Sequence, residues 1–172
     1  MLLFNQIQFT YDKHEKPYLQ PSSSLQFNLS HSDDFAVYAL TLNYPVGIDV
    51  EKIQTHFNEN IAKRFFSAQE YTALMSRPEE ERIIHFYRIW ARKEAIIKAN
   101  GKGLAIPLNS FSVSDQNIRE KVMLDQKETW ALLPLDLHNE YQSAVATHLS
   151  INKVSHWKLL NQLPQLDKEY SL

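Results

Sequence analysis

The spacing of apolar residues predicts one long helix in the middle of the chain. Between Ile83 and Ile97, apolar residues recur every three or four positions, which is the period of one helix face. Glu94 falls inside this stripe. The helix is expected to begin at Pro78 and to end before Gly101. A carboxylate on the apolar side of a helix is costly unless a cation meets it, so Glu94 is the first candidate functional residue.

Two shorter helices are predicted upstream, over residues 58–66 and from Ser67 onward, where Glu70 completes a capping box. Strand patterns occur over residues 6–9, 16–19, 25–29, 35–42, 46–50, 111–113, 129–133, 141–147 and 156–160. Residues 167–172 are expected to form a loose tail. The order of strands, then helices, then strands predicts an α+β fold with antiparallel sheets.

Composition narrows the possible functions. A chain of 172 residues that is 44% hydrophobic can form one domain or two small lobes. The absence of cysteine excludes thiol chemistry, and three glycines are too few for a Walker loop or a dinucleotide fingerprint. No apolar run is long enough for a membrane helix, and a net charge of −2 does not favour nucleic-acid binding. We therefore expect a cytoplasmic protein that binds neither membranes nor nucleic acid.

Two further carboxylates are predicted on one face of a strand. Asp49 and Glu51 are two residues apart, and side chains at that spacing point the same way. Together with Glu94 they suggest a magnesium site, because this ion prefers oxygen ligands and keeps positions open for phosphate. Lys98 lies one helical turn after Glu94 and could neutralise a leaving phosphate. The alternative is a set of ordinary solvent-facing charges.

Other polar residues are weaker candidates for phosphate binding. Ser30 and His31 close a predicted strand, and Lys16 precedes a proline. Lys93 either reaches a phosphate or extends along apolar surface. For His31 and Lys16 the alternative is a cap or a plain surface position.

Taken together, these segments resemble the 4′-phosphopantetheinyl transferase superfamily in its longer, two-lobed form. The resemblance is carried by Lys-Pro-Tyr at 16–18, Phe-Asn-Leu-Ser-His-Ser at 27–32, Gly-Ile-Asp-Val-Glu at 47–51, Phe-Phe-Ser at 65–67 with Glu70, Trp-Ala-Arg-Lys-Glu-Ala-Ile-Ile-Lys at 90–98, and Gly-Lys-Gly-Leu at 101–104. Each segment is weak alone, but their order and spacing are specific.

The resemblance implies a 4′-phosphopantetheinyl transferase-like fold with one incomplete and one complete lobe. The incomplete lobe would span residues 1–45 and the complete lobe 46–162, with a loose tail at 163–172. Members of this type usually carry a longer segment ahead of Lys16, and Glu15 replaces the glycine that usually precedes this lysine. We therefore expect a shortened first lobe, and self-association could compensate for it.

The resemblance also implies a reaction, in which the phosphopantetheine arm of coenzyme A moves to a serine of an acyl or peptidyl carrier protein. Glu94 would deprotonate the serine, and Lys98 would neutralise or protonate the leaving phosphate. The metal ligands would be Asp49, Glu51 and Glu94. The residues that would bind coenzyme A are Lys16, Ser30, His31, Lys93 and Lys98.

The carrier protein is expected to dock on the helical stretch 58–75, where Lys63 and Arg64 could meet acidic carrier residues. Two other functions remain open. One is a magnesium-dependent phosphodiesterase or nuclease, for which the basic patch is small. The other is a non-catalytic relative that binds coenzyme A or a carrier without turnover.

Overall fold

The chain has an α+β fold, as predicted, in a computed structural model that describes residues 7–20, 24–125, 127–160 and 163–171. The N-terminal part consists of two antiparallel hairpins. In the first, β1 (Gln8–Tyr11) pairs with β2 (Pro17–Gln20), and in the second, β3 (Leu25–Ser32) pairs with β4 (Phe35–Leu42). Gln6, the first residue of the first predicted strand, lies outside the described residues.

Three helices follow strand β5 (Val46–Lys52), and their ends confirm the sequence signals. Helix α1 covers Glu59–Phe65, and α2 covers Ala68–Met75 with the predicted capping box between Ser67 and Glu70. Helix α3 covers Glu79–Asn100 and ends at Gly101, whose φ of 81° is left-handed. Among the described residues, no helix is long and apolar enough to cross a membrane.

The main sheet has four antiparallel strands in the order β5-β8-β7-β6. Its other members are β6 (Glu120–Leu124), β7 (Glu128–Pro134) and β8 (Tyr141–His148). The strand predicted over 111–113 is wrong, and β6 was not predicted. Residues 111–113 form an irregular segment. Phe111 and Val113 are both buried in the core, so their two-residue spacing reflects burial and not strand pairing.

The sheet is covered on both faces. On one face it packs against α1, α2 and α3 through a large cluster that includes Phe86, Ile96 and Leu132. On the other face, Ala39 and Val37 of β4 pack with apolar residues of β5, β7 and β8. The second N-terminal hairpin therefore contacts the sheet on the face opposite to the helices.

The predicted loose tail is also wrong. Residues 163–171 form strand β10 (Leu163–Ser171), which pairs antiparallel with β9 (Lys153–Leu160). The strand was not predicted because the charged residues at 167–169 interrupt its alternation of apolar and polar positions. Lys153 pairs across the hairpin with Glu169 at 2.8 Å, and Lys158 lies 3.3 Å from Asp167.

Candidate functional site

Strand β5 carries its acidic residues against α3 because Gly47 lets the strand and the helix meet backbone to backbone. A Cβ atom at position 47 would collide with the carbonyl oxygen of Ala95 and the backbone nitrogen of Ala99. Alternate residues of a strand share a face, so Asp49 and Glu51 also point towards α3. The glycine thus brings the strand carboxylates next to the helix that carries the remaining candidate residues.

An ion pair lies at the centre of the site. The Nζ atom of Lys98 is 2.6 Å from Oδ1 of Asp49 and 3.1 Å from Oγ of Ser30. The Ser30 hydroxyl donates to the same Asp49 oxygen at 3.0 Å. Asp49 is only 3% exposed, and its other oxygen, Oδ2, is buried without a hydrogen-bond partner among the described residues. Such an oxygen is costly to bury, and it is a position where a cation fits.

The carboxyl groups of Glu51 and Glu94 share this environment. Burial raises the pKa of Glu51 to about 7, and the negative charge of Asp49 adds to the increase. Burial and the charge of Asp49 likewise raise the pKa of Glu94 to about 7. Burial also raises the pKa of Asp49, while Lys98 acts in the opposite direction on all three carboxyl groups. One lysine therefore supplies less positive charge than three ionised carboxylates need.

The ligand atoms that these residues offer are of the type that a hard divalent cation binds. All three carboxyl groups offer oxygen ligands, which magnesium prefers, and one buried oxygen of Asp49 is unpaired. Glu94 is half-buried rather than turned to bulk solvent. Within the described residues, however, no group of three histidine, cysteine, aspartate or glutamate side chains is arranged to hold a metal ion. The assignment of the metal ligands therefore remains a prediction.

The structure corrects the assignment of Lys93 as a coenzyme A ligand. Its side chain is fully buried, and Nζ lies 2.8 Å from the carboxylate of Glu70. The same ammonium group donates to the carbonyl oxygens of Leu108 at 2.7 Å and Phe111 at 2.6 Å. Neighbouring helix residues point about 100° apart. Lys93 therefore points into the core, whereas Glu94 points towards β5.

Only one of the two predicted phosphate ligands on β3 joins the acidic cluster. Ser30 is 6% exposed and binds Asp49, as described above. His31 has an exposed side chain, and it lies on the other face of β3 because adjacent strand residues alternate. The two residues are adjacent in the sequence and were predicted to share a role. In the strand their side chains lie on opposite faces, so only Ser30 reaches the acidic cluster.

Lys16 lies near the site, but its ammonium group contacts backbone atoms. It donates to the carbonyl oxygens of Lys98 at 2.6 Å, Ala99 at 3.2 Å and Val46 at 3.3 Å. It thereby satisfies carbonyl groups at the C-terminal end of α3, which have no partner within the helix. The cavity beside it has a volume of about 230 Å³ and is lined by residues that include Lys16, Asn28, Glu94, Lys98, Gly101 and Gly103.

Sequence reasoning missed residues that support the site. Asn28 and Ser32 flank Ser30 on β3 and accept hydrogen bonds from β5. The polar residues at every second position of this strand were a signal for such a contact. Glu70 was recognised as a helix cap, but nothing in the local sequence indicated its second role as the partner of Lys93.

The fold and the site together define a class of protein. It has an α+β fold in which carboxyl groups from an edge strand and from a long helix lie around one lysine. A family model of the 4′-phosphopantetheinyl transferase superfamily matches residues 45–147, the segment that contains β5, the three helices and most of β8. The chain belongs to the 4′-phosphopantetheinyl transferase superfamily. The resemblance read from the sequence motifs is thereby confirmed.

Individual relatives agree with this membership. The chain is 35% identical to the 4′-phosphopantetheinyl transferase gsp of Aneurinibacillus migulanus, over 96% of this chain and 70% of that protein. It is 38% identical to the 4′-phosphopantetheinyl transferase psf-1 of Bacillus pumilus, over 85% of this chain and 63% of that protein. It thus spans about two thirds of the length of these relatives. The holo-[acyl-carrier-protein] synthase of Thermotoga maritima is only weakly similar, with 20% identity and a TM-score of 0.38 over 66% of this chain and 68% of that one.

Proposed function

We propose that this chain transfers the 4′-phosphopantetheine arm of coenzyme A to a serine of an acyl or peptidyl carrier protein, with magnesium as cofactor. The observation that carries the proposal is the acidic cluster of Asp49, Glu51 and Glu94 around Lys98, in a chain of the phosphopantetheinyl transferase superfamily. Family membership supplies the reaction class, and the cluster supplies groups suited to it.

In this proposal the serine oxygen attacks the phosphorus atom of the phosphopantetheine phosphate. The bond from that phosphorus to the bridging oxygen breaks, and adenosine 3′,5′-bisphosphate leaves. Glu94 accepts the serine proton, directly or through a water. Lys98 lies one turn further along α3 and neutralises the charge that develops on the leaving phosphate.

Asp49, Glu51 and Glu94 would hold the magnesium ion. When bound, this ion would draw negative charge from the pyrophosphate and orient it. The nucleotide end of coenzyme A would lie in the cavity beside Lys16 and Lys98. Lys16 would act there mainly by fixing the end of α3, because its ammonium group already contacts three carbonyl oxygens.

The carrier protein would dock on α1, beside a second cavity. Lys63 and Arg64 are exposed on this helix and offer positive charge to acidic carrier residues. The second cavity has a volume of about 430 Å³, and its lining includes Ile61 of α1 and the aromatic residues Phe57, Phe86, Tyr87 and Trp90. Trp90 hydrogen-bonds to Glu51, so this cavity adjoins the acidic cluster. Reversing both charges, as in Lys63→Glu with Arg64→Glu, should raise the KM for the carrier and leave that for coenzyme A unchanged.

The proposal is tested by incubating the purified chain with coenzyme A, magnesium and an apo carrier protein, and weighing the carrier by mass spectrometry. A mass gain of one phosphopantetheine arm supports the transferase. Cleavage of nucleic acid without that gain would support a phosphodiesterase. Heat released on titration with coenzyme A and magnesium, again without a mass gain, would support a non-catalytic binding protein.

A further inference from the structure

The acidic strand β5 lies at one end of the main sheet, with only β8 as its neighbour in that sheet. In an antiparallel pair, alternate residues direct their backbone N–H groups towards the partner strand, and the residues between them direct theirs away. Buried N–H groups that lack a partner are costly. The outward-facing N–H groups of β5 belong to Ile48, Val50 and Lys52.

These three N–H groups donate to side chains of β3. The Ile48 group donates to Oδ1 of Asn28 at 2.8 Å, and the Lys52 group donates to Oγ of Ser32 at 3.0 Å. Between them, the Val50 group makes a longer contact of 3.4 Å to Oγ of Ser30. We call the three side chains of Asn28, Ser30 and Ser32 the β3 polar row.

The polar row replaces ordinary strand pairing at this edge. Strand β3 pairs with β4 in a separate two-stranded sheet, and its side chains supply the acceptors for β5. Each contact joins residues 20 positions apart, which means that β3 and β5 run in the same direction with a fixed register. The middle residue, Ser30, also binds Asp49 and Lys98, so the register of the two strands decides where Ser30 meets the acidic cluster.

We propose that Asn28 and Ser32, the two outer members of the polar row, are positioning residues for Asp49. They hold β5 in register against β3, so that Asp49 stays beside Lys98 and in the acidic cluster where a divalent cation would bind. This inference rests on the proposed function only for the identity of the cation. Asn28 lines the cavity beside Lys98, whereas Ser32 does not, so Ser32 separates the positioning role from contact with a ligand.

The test uses Ser32→Ala, which removes the acceptor for the Lys52 amide, and Ser32→Thr, which keeps it. Amide hydrogen exchange at Lys52 is measured by NMR, and magnesium binding is measured by calorimetry with the metal alone. Ser32→Ala should accelerate exchange at Lys52 and weaken magnesium binding, each by about fivefold, as expected for one lost hydrogen bond. Ser32→Thr should restore both values.

Gln26→Ala is the matched control, because Gln26 lies on the same face of β3, two residues before Asn28, and no hydrogen bond joins it to β5 within the described residues. It should change neither value. Asn28→Ala should repeat the effect of Ser32→Ala, with faster exchange at Ile48 instead of Lys52.

Three results would overturn the inference. They are unchanged exchange at Lys52 in Ser32→Ala, faster exchange with wild-type magnesium affinity, and a failure of the unaltered chain to bind magnesium. The proposed function can fail separately. If the unaltered chain binds magnesium but does not modify a carrier protein, the transferase proposal is wrong while the effects of Ser32→Ala still support the positioning role.

Discussion

The two N-terminal hairpins (residues 8–42) and the sheet with its helices (residues 46–148) are held together in different ways. Among the described residues of the hairpins, Ala39 is the one buried apolar residue, at 8% exposed, whereas Tyr38 and Leu40 are 69% and 67% exposed. In the sheet and helices, residues such as Ile96 and Leu132 are completely buried. The hairpins therefore have little apolar core of their own.

Polar contacts join the hairpins to the rest, beside the apolar packing of Val37 and Ala39 on the sheet. Lys16 binds carbonyl oxygens at the end of α3, and the β3 polar row accepts hydrogen bonds from β5. A hydrogen bond adds about 1 kcal/mol to stability, much less than a large buried apolar side chain. We infer that the sheet and helices provide most of the stability, and that the hairpins act mainly on the geometry of the site between them.

The largest effect on stability is expected within the sheet-and-helix region, at the buried pair of Lys93 and Glu70. Lys93→Met keeps the length of the side chain but leaves the Glu70 carboxylate buried without its cation. Removal of one partner from a buried pair should lower the free energy of unfolding by about 3 to 5 kcal/mol, measured by urea denaturation. Lys121→Met, at an exposed position of β6, should change it by less than about 0.5 kcal/mol.

The double variant Lys93→Met with Glu70→Gln provides a further check, because it removes both charges. It should be more stable than Lys93→Met alone. If Lys93→Met and Lys121→Met have equal stability, the buried pair does not stabilise this region, and the contrast between the two regions fails.

Several of these features could be predicted because their causes are local in sequence. The capping box of α2 and the end of α3 at Gly101 depend on residues within one helical turn. Glu94 was recognised because a charge interrupts a run of apolar residues, and its environment is indeed half-buried and acidic. Such signals lie within a few residues, so they can be read without the fold.

Other features depend on contacts between distant segments. Lys93 was predicted either to reach a phosphate or to extend along apolar surface, and neither alternative included its partners, which are Glu70 and carbonyl groups of the segment after α3. Strand β10 was missed because its charged residues pair with β9 across the hairpin. Spacing along the chain contains no information about these partners.

The second prediction concerns Asp49, at the boundary between the two regions. Asp49→Ala removes a proposed metal ligand and the partner of both Lys98 and Ser30. The rate of carrier modification should fall by about 100-fold or more, the usual loss when one group that stabilises charge in a transition state is removed. The rate is measured from the mass of the carrier over time.

The matched control for this variant is Asp34→Ala, in the exposed turn between β3 and β4. It removes the same charge from the hairpin region without touching β5, and it should retain the rate of the unaltered chain. Equal losses in the two variants would mean that net charge, rather than the contact between the regions, explains the effect.

The third prediction uses pH, because Glu51 and Glu94 have raised pKa values of about 7 in the folded chain, against 4.5 for an ordinary glutamate. Between these values the folded chain binds more protons than the unfolded chain. The free energy of unfolding should therefore fall, through these two groups, as the pH rises from about 4.5 to about 7. The measurement is urea denaturation at pH 5 and pH 8 in the presence of a chelator.

Glu94→Gln should reduce this loss of stability between pH 5 and pH 8, since the amide does not titrate. Glu79→Gln, at the exposed start of α3, should leave the pH dependence unchanged. A loss of the same size in Glu94→Gln and the unaltered chain would show that Glu94 is not confined in an acidic environment.

The smallest effect is expected on the exposed face of the N-terminal hairpins. Leu40→Ala and Leu132→Ala make the same chemical change in strands of the two regions, but Leu40 is 67% exposed and Leu132 is completely buried. Leu132→Ala should lower the free energy of unfolding by about 2 to 5 kcal/mol, and Leu40→Ala by no more than about 0.5 kcal/mol. If Leu40→Ala instead costs as much as Leu132→Ala, this face of the hairpin is covered in solution, and the hairpins contribute a second core that an isolated chain does not form.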